Sequence, residues 1–183
     1  MKRFLDLLIS FILIVALLPV SVPIILIIKF ESKGDFYFIQ ERLGYRGKVF
    51  RLYKFRSMYI GDHDKKSQVF LDHPSITRFG RWMRRFKIDE IPQLINIFIG
   101  DMSLVGPRPC LPELAEKFDA NGKKRNNVKP GLTGLAQVNG NIFLSWQKRW
   151  EYDAYYVENK SLLLDFKILY LTLKVLIKGE NRF

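Results

Sequence analysis

Residues 87–109 read KIDEIPQLINIFIGDMSLVGPRP, and this stretch decides how the rest of the chain is interpreted. Its large apolar residues fall at positions 91, 94, 95, 98 and 99, a spacing that places them on one face of a helix. Asp89 is a suitable N-cap, Pro92 is tolerated only in a first turn, and Gly100 can end the helix. We therefore predict a short amphipathic helix with a pair of carboxylates, Asp89 and Glu90, at its N-terminus.

This carboxylate pair suits chemistry on phosphate groups. A carboxylate can be a nucleophile toward phosphorus, and a neighbouring carboxylate can hold Mg²⁺. The helix dipole favours the anionic forms of both, and the preceding residues contain arginines able to neutralise a pyrophosphate. These arginines are Arg78, Arg81, Arg84 and Arg85. An acidic pair at a helix start is more often only a cap with a favourable dipole interaction, so these residues alone leave both interpretations open.

Composition indicates one domain with an anionic partner. The chain has 183 residues, of which 48% are hydrophobic, enough for a single core. Its formal charge of +12, from 30 Lys and Arg against 18 Asp and Glu, fits nucleic acid, phospholipid or a nucleotide sugar. The single cysteine, Cys110, excludes a disulfide framework and a Cys-based metal site, and fits a reducing compartment.

An uncharged apolar run occupies residues 7–28 and has the length of a transmembrane helix. Pro19 and Pro23 interrupt it. The twelve residues before Pro19 would rise only about 18 Å as a helix, well short of a hydrocarbon core about 30 Å thick. Two topologies therefore stay open: a kinked spanning helix, which is the commoner structure, and a re-entrant hairpin that turns at Pro19 and leaves on the same side.

Polar residues in this N-terminal region have candidate partners in either topology. Ser21 is placed to satisfy backbone groups that the prolines free. Asp6, near the start of the apolar run, is placed to meet Arg3 or headgroup water.

The middle of the chain predicts a small β-hairpin and an amphipathic helix. Residues 36–39 and 49–55 are rich in β-branched and aromatic residues, with a turn at 44–47. From Ile76, apolar residues follow helical spacing opposite the arginines, which describes either a helix at a membrane surface or a soluble helix with a charged face. We predict that the polar residues 60–73 form an exposed loop, and that Asp62, His63 and Asp64 do not form a metal site.

The last third of the chain offers three features, each with two interpretations. Residues 130–140 contain three glycines and no charge, as in a backbone-rich loop against a ligand or in an ordinary connection. The aromatic residues fit interface anchoring or core packing. They are Trp146, Trp150, Tyr152, Tyr155 and Tyr156. Residues 162–177 are strongly apolar with recurring lysines, typical of an interfacial helix, although a buried helix with snorkelling lysines also fits.

Residues 101–109, DMSLVGPRP, resemble the signature of the bacterial sugar transferases, the monotopic polyprenyl-phosphate phosphoglycosyl transferases. Asp89 and Glu90 stand where that family keeps its catalytic dyad. Four further segments are similar to family motifs and occur in the family's order. They are QERLG at 40–44, YKFRSM at 53–58, PGLTGLAQVNG at 130–140 and DAYYVENKSLLLD at 153–165. The resemblance covers residues 2–178, nearly the whole chain.

The resemblance implies transfer of a sugar phosphate from a UDP-sugar to a polyprenyl phosphate, most often undecaprenyl phosphate, with release of UMP. It implies that Asp89 attacks the sugar-linked phosphate through a covalent aspartyl intermediate and that Glu90 binds Mg²⁺. The substrate-binding residues that we assign are Arg84, Arg108, Lys54, Arg56 and Gln137. The chain departs from the family pattern at three positions, where Leu18 replaces a serine and Lys129 and Asn141 replace arginines.

The implied architecture is a mainly helical α+β fold with a re-entrant N-terminal membrane helix, interfacial amphipathic helices and a small β-hairpin. Residues 1–33 would form the re-entrant helix, broken at Pro19, and residues 34–183 a catalytic domain on the cytoplasmic face of the bacterial inner membrane. The expected partners are the two substrates and anionic phospholipid, without nucleic acid, and a homodimer is left open. The alternative is a membrane-tethered basic module that binds anionic lipid or nucleic acid.

Overall fold

The computed structural model describes residues 1–61 and 73–178. In chain order its helices and strands are α1 (Lys2–Glu31), β1 (Tyr37–Leu43), β2 (Val49–Phe55), α2 (Arg78–Arg85), α3 (Gln93–Ile99), β3 (Ser103–Val105), α4 (Ala120–Lys124), β4 (Gly131–Thr133), α5 (Leu135–Val138), α6 (Trp146–Asn159) and α7 (Leu162–Lys178). Short 3₁₀ turns join several of them. The predicted mainly helical α+β fold is confirmed. Asp62, His63 and Asp64 lie outside the described residues.

The predicted β-hairpin is present, and α3 packs against its second strand. Strands β1 and β2 are antiparallel, with Tyr37 opposite Phe55 and Leu43 opposite Val49. The buried Asn96 of α3 bonds to the backbone of β2: its amide nitrogen donates to Arg51 O over 2.7 Å, and its Oδ1 accepts from Tyr53 N at 3.1 Å. A side chain that pairs with a strand in this way fixes α3 against the hairpin.

Helix α3 ends as predicted but begins later than predicted. Gly100 is the C-cap, with a left-handed φ of 103° that glycine adopts without strain. The predicted N-cap at Asp89 is wrong, because Asp89 and Glu90 lie in a 3₁₀ turn, Ile88–Glu90, and α3 starts at Gln93. The physical reason is Pro92, which has no N–H to donate to a carboxylate three residues earlier. The carboxylate of Asp89 is therefore not used as a cap.

A second, parallel pair of strands follows α3. Ser103 pairs with Gly131 and Val105 pairs with Thr133, so the glycine-rich segment 130–140 begins as a strand rather than a loop. A Cβ added to Gly131 would overlap the backbone of Gly106, so only glycine permits this close approach. The pair places residues 106–109, the GPRP segment, directly beside β4.

Helix α1 packs along the rest of the protein through one face. Its buried residues are Asp6, Ser10, Ile24 and Ile28. Ile9, Ile14 and Leu17 pack against the main core of Leu52, Leu94, Ile97, Met102, Leu104, Val105, Tyr156 and Ile168. The opposite face is apolar and exposed. At its N-terminal end, Arg3 donates to the carbonyls of Ile97 and Phe98 at the end of α3, over 2.5 and 2.8 Å. One face of α1 is thus part of the core.

Asp6 has different partners from those predicted. Its carboxylate accepts from Ser103 Oγ at 2.8 Å and from Leu104 N at 3.0 Å, both in β3, and Asp6 is only 4% exposed. The expectation that it meets Arg3 or headgroup water is wrong, because the helix face that carries Asp6 is turned toward the core. This carboxylate ties α1 to the strand that leads into the GPRP segment.

The two prolines do not end α1. Helical conformation continues from Lys2 through Pro19 and Pro23 to Glu31, and among the described residues α1 is the helix long and apolar enough to cross a membrane. Ser21 Oγ donates to Leu17 O over 2.9 Å. Ser21 therefore does not meet the carbonyls that the prolines free, which lie four residues before each proline. The re-entrant topology of α1 in a bilayer stays a prediction.

Some of the aromatic residues at 146–156 pack in the core, and others are exposed as interface anchoring would require. Trp150 and Tyr156 are buried, whereas Tyr155 is 55% exposed and Trp146 is 37% exposed. Helix α7 likewise buries Ile168 and exposes a run of large apolar side chains. They are Leu163, Phe166, Tyr170, Leu173 and Ile177. In α2, Trp82 is 48% exposed and stacks on Phe79, with ring centroids 5.4 Å apart. These exposed faces fit the predicted interfacial helices.

Candidate active site

Glu90 is the centre of a buried network of charges. It lies in the 3₁₀ turn between α2 and α3 and is 5% exposed. Arg108, from the GPRP segment, contacts Oε1 at 2.6 Å and Oε2 at 3.3 Å, and Lys54 of β2 contacts Oε1 at 3.3 Å. Burial alone would raise the pKa of Glu90, but the charges of Arg108 and Lys54 hold that pKa well below its ordinary value. Glu90 is therefore anionic at neutral pH.

Asp89 has the opposite environment. It is equally buried, at 5% exposure, and its Oδ1 has no hydrogen-bond partner among the described residues. Burial raises the pKa of Asp89 above its ordinary value; the charge of Lys54 opposes this, and the anion of Glu90 adds to it. A buried carboxylate oxygen without a donor is energetically costly, which is a reason to expect it at a reacting position.

Lys54 and Arg84 complete the surroundings of the pair. Burial lowers the pKa of Lys54 from its ordinary value, and the charge of Glu90 opposes that shift. Arg84 of α2 donates from Nε to Ser57 Oγ over 2.8 Å. Burial lowers the pKa of Arg84 as well, and the charge of Asp89 opposes this. The structure therefore brings together five predicted site residues: the two carboxylates, Lys54, Arg84 and Arg108.

Two other predicted site residues have structural partners. The guanidinium of Arg56 donates to the carbonyls of Ser32 and Lys33, over 2.8 and 2.6 Å, and Arg56 is 7% exposed. These bonds hold the chain just after α1. The amide of Gln137, in α5, donates to Leu132 O of β4 over 2.9 Å, and its Oε1 is buried without a hydrogen-bond partner among the described residues. Substrate contacts for both residues stay predictions.

The carboxylate pair fits Mg²⁺ only together with a substrate. Among the described residues, no group of three or more His, Cys, Asp or Glu side chains is arranged to hold a metal ion. Mg²⁺ at phosphate-transfer sites is bound by one or two carboxylates, with water and substrate phosphates completing its octahedral shell. The unpartnered Oδ1 of Asp89 is a hard oxygen donor of this kind, and Glu90 lies beside it. The assignment of Glu90 as the metal ligand stays a prediction.

Three charged residues near the site were not assigned to it from the sequence. Arg42 of β1 donates to Gln40 Oε1 over 2.5 Å, and burial together with the charge of Arg108 lowers its pKa to about 10. Arg125 and Asp153 form a buried ion pair at 3.4 Å. Arg42 belongs to the QERLG motif, and this position in a motif is a signal by which it could have been assigned to the site. Arg125 stands in a polar stretch without a motif, so its sequence gives no signal.

Comparison with known proteins agrees with this geometry. Residues 1–179 match the model of the family described as bacterial sugar transferase. The chain is 39% identical over 181 residues to the uncharacterized sugar transferase EpsL of Bacillus subtilis, covering 99% of this chain and 89% of that protein. It is 34% identical over 199 residues to the exopolysaccharide production protein ExoY of Sinorhizobium fredii, covering 100% of this chain and 88% of that protein.

A third relative is longer than this chain. The undecaprenyl-phosphate glucose phosphotransferase of Komagataeibacter xylinus is 40% identical over 199 residues, which cover 100% of this chain but only 37% of that protein. The match to the family model extends over nearly the whole sequence and includes the carboxylate pair and the GPRP segment. The chain therefore belongs to the bacterial sugar transferase family.

Proposed function

We propose that the protein transfers a sugar phosphate from a UDP-sugar to a polyprenyl phosphate at the cytoplasmic face of a bacterial inner membrane. The observation that carries this proposal is the contrast between two adjacent buried carboxylates. Glu90 is neutralised by Arg108 and Lys54, whereas Asp89 keeps one oxygen without a donor. A basic module that only binds anions would have no use for a buried carboxylate with a free oxygen.

The first step uses Asp89 as the nucleophile. A carboxylate oxygen of Asp89 forms a bond to the sugar-bearing phosphorus, and the bond from that phosphorus to the UMP oxygen breaks, so that UMP leaves with the electron pair. Burial supports this role, because a carboxylate with a raised pKa is more basic and less solvated than an exposed one. Arg84 and Arg108, which lie near the two carboxylates, would compensate the charge of the phosphates.

The second step regenerates the enzyme. An oxygen of the polyprenyl phosphate attacks the same phosphorus, and the bond to Asp89 breaks, which restores the carboxylate. Splitting the transfer avoids bringing two anionic substrates together in one site at the same time. Glu90 and Asp89, with phosphate oxygens of the substrate, would hold Mg²⁺, which when bound supplies positive charge to the transferring phosphate.

The membrane location rests on α1 and on the exposed apolar faces. The exposed face of α1 and that of α7 both offer large apolar side chains, and the acceptor substrate carries its phosphate on a lipid. A nucleotide sugar is a cytoplasmic metabolite, which requires the carboxylate pair to face the cytoplasm. The K. xylinus relative is named for undecaprenyl phosphate and glucose, and we propose undecaprenyl phosphate as the acceptor here as well.

The test is to trap the intermediate. The purified enzyme is incubated with a panel of UDP-sugars in nanodiscs without acceptor, and we expect one equivalent of UMP and a mass increase of one sugar phosphate on the peptide that contains Asp89. Asp89→Asn should release no UMP and carry no adduct, whereas Asp101→Asn, outside the charged network, should retain both. Release of UMP only when both substrates are present, with no adduct at any time, would contradict the covalent route.

A further inference from the structure

A buried ion pair lies next to the GPRP segment. Arg125, in the 3₁₀ turn after α4, is 6% exposed, and Asp153 of α6 is 3% exposed. Arg125 Nη2 lies 3.4 Å from Asp153 Oδ2. The guanidinium of Arg125 also lies against the ring of Phe118, with its carbon 5.5 Å from the ring centroid. Two elements far apart in sequence are thus joined by one buried guanidinium.

The same nitrogen of Arg125 bonds to the backbone of the active site. Arg125 Nη2 donates a hydrogen bond to the carbonyl oxygen of Arg108. The side chain of Arg108 then extends to Glu90, where Nη2 is 2.6 Å from Oε1. A continuous series of contacts therefore runs from Asp153 through Arg125 and Arg108 to Glu90. Because Arg108 has five donors in a rigid fork, the position of its backbone decides which oxygens of Glu90 it can reach.

Stability alone does not explain such a pair. Removing two charges from water is costly, and replacement of a buried ion pair by packed apolar residues is often neutral or stabilising. Arg125 instead fixes the position of the Arg108 carbonyl by a hydrogen bond. An apolar side chain could fill the same space but could not donate that bond. Arg125 and Arg108 also line one shallow cleft, together with Gly44, Pro107 and Asn126.

We propose that Arg125 and Asp153 are positioning residues for the transfer reaction, holding the carbonyl of Arg108 so that its guanidinium stays in register with Glu90. This inference rests on the proposed function. Asp153 acts by keeping Arg125 in place: with its charge present, the guanidinium is fixed between the carboxylate and the carbonyl. Without that charge, Arg125 loses its ionic partner, and Arg108 loses its rigid support.

The pair also makes activity sensitive to mildly acidic pH. Burial raises the pKa of Asp153 to about 6, against the opposing charges of Arg125 and Arg149. The buried thiol of Cys110 is the other titratable group that faces it, and burial raises the pKa of Cys110, so that thiol stays neutral. Above pH 6 Asp153 is anionic and holds Arg125; below pH 6 it is protonated. We expect kcat/KM to fall as the pH drops through 6.

Stability should change in the opposite direction, which separates positioning from a structural role. Between its unfolded pKa near 4 and its folded pKa of about 6, Asp153 binds more protons in the folded protein than in the unfolded chain. Its contribution to the free energy of unfolding therefore rises as the pH falls through 6. A loss of activity that merely followed loss of structure would instead require stability to fall.

The experiment compares Asp153→Asn with Lys124→Gln as a matched control. Lys124 and Glu158 form an ion pair between the same two parts of the chain, at 2.5 Å, but it is exposed and does not touch Arg108. Asp153→Asn should lower kcat/KM at pH 7.5 by about ten- to a hundredfold, because small misplacements of this kind have effects of that size, and should flatten the fall near pH 6. Lys124→Gln should match the unchanged protein in both respects.

Two further variants keep the test decisive if Asp153→Asn folds poorly. Arg125→Lys retains the positive charge beside Asp153, so the variant should fold. It lacks the planar guanidinium that reaches both Asp153 and the carbonyl of Arg108, so it should still lose activity. Arg125→Gln alone should slow the burst of UMP release. Combined with Arg108→Ala, it should slow the burst little further than Arg108→Ala does alone, because Arg125 acts through Arg108. Full activity of Arg125→Lys, additive losses in the cycle, or an unchanged pH profile of Asp153→Asn would overturn the proposal. Absence of UMP release by the unchanged protein would instead refute the proposed function itself.

Discussion

The guanidinium of Arg108 contacts both carboxylate oxygens of Glu90, at 2.6 Å to Oε1 and 3.3 Å to Oε2. This contact gives two adjacent carboxylates different properties. The pKa of Glu90 lies well below its ordinary value, whereas burial raises the pKa of Asp89. Pairs of acids whose environments push their pKa values apart are a common way for an enzyme to give them different roles. This difference supports the proposal that Asp89 is the nucleophile and that Glu90, which stays anionic, holds Mg²⁺.

Replacement of Arg108 should impair the reaction even when the charge is kept. Arg108→Lys retains one positive charge but loses the fork that spans Glu90, so we expect kcat/KM for UMP release to fall by about tenfold or more. Arg108→Ala should also raise the pKa of Glu90, because burial then acts with less opposing charge, and the acidic limb of the pH profile should move to higher pH. Arg51→Lys, on an exposed part of β2, is the control. Equal activity of Arg108→Lys and Arg51→Lys would contradict this role.

Glu90→Gln should abolish most activity. We also expect the activity of the unchanged protein to require a divalent metal ion. The amide keeps the shape but leaves Arg108 and Lys54 without an anion and binds Mg²⁺ weakly, so a loss of about a hundredfold is expected. The measurement is UMP release with Mg²⁺ and with excess EDTA. Full activity in EDTA would rule out the metal role, and an active Glu90→Gln would rule out the charge role.

Loss of Asp6 should destabilise the whole protein. Asp6→Ala leaves Ser103 Oγ and Leu104 N buried without their acceptor, and the expected loss is about 3 kcal/mol in the free energy of unfolding. Ser103→Ala removes only one of the two bonds and should cost about 1 kcal/mol. Thermal unfolding in detergent measures both. Glu151→Ala, on the exposed surface of α6, should have almost no effect; if Asp6→Ala unfolds at the same temperature as Glu151→Ala, the carboxylate does not tie α1 to β3.

The re-entrant topology predicts that both ends of α1 lie in the cytoplasm. Single cysteines in place of Lys2 and of the exposed Lys148, in a Cys110→Ala background, should both resist an impermeant reagent added from the periplasm and react after permeabilisation. Replacing Pro19 and Pro23 together by Leu should favour a straight spanning helix, because the main local cause of a bend is then lost. Periplasmic labelling at residue 2 of the otherwise unchanged chain, with none at residue 148, would show that α1 spans the membrane.

Local rules predicted the parts of this fold that depend on neighbouring residues. The hairpin follows from β-branched and aromatic residues on either side of a glycine-containing turn, and the end of α3 follows from Gly100. The start of α3 was mispredicted although the signal was present: Pro92 stands three residues after Asp89, where a capped helix needs an N–H. Because Pro92 has no N–H, Asp89 has no donor at that position to cap.

Other parts of the fold depend on contacts between residues distant in sequence, which local sequence patterns do not predict. Strand β3 pairs with β4 across 28 positions, and both are three residues long, too short to show a period. The carboxylates of Asp6 and Asp153 find their partners across 97 and 28 positions respectively. In each case burial makes the pairing necessary, and burial is a property of the whole fold. The family resemblance located the carboxylate pair, Arg84 and Arg108, but it did not distinguish Arg56, whose hydrogen bonds hold the chain after α1.

The packing of α1 has a practical consequence for making a water-soluble form of this enzyme. Deleting residues 1–33 would strip the core of Ile24 and Ile28 and leave the Leu104 amide without its acceptor, so a truncated chain should aggregate rather than dissolve. The face of α1 that points away from the core is a separate target. Its exposed apolar residues include Phe11, Ile12, Val15, Leu18 and Val22. Replacing these residues with glutamate, lysine and glutamine, while keeping every residue of α1 that packs against the core, would remove the exposed apolar surface and preserve the fold around the carboxylate pair.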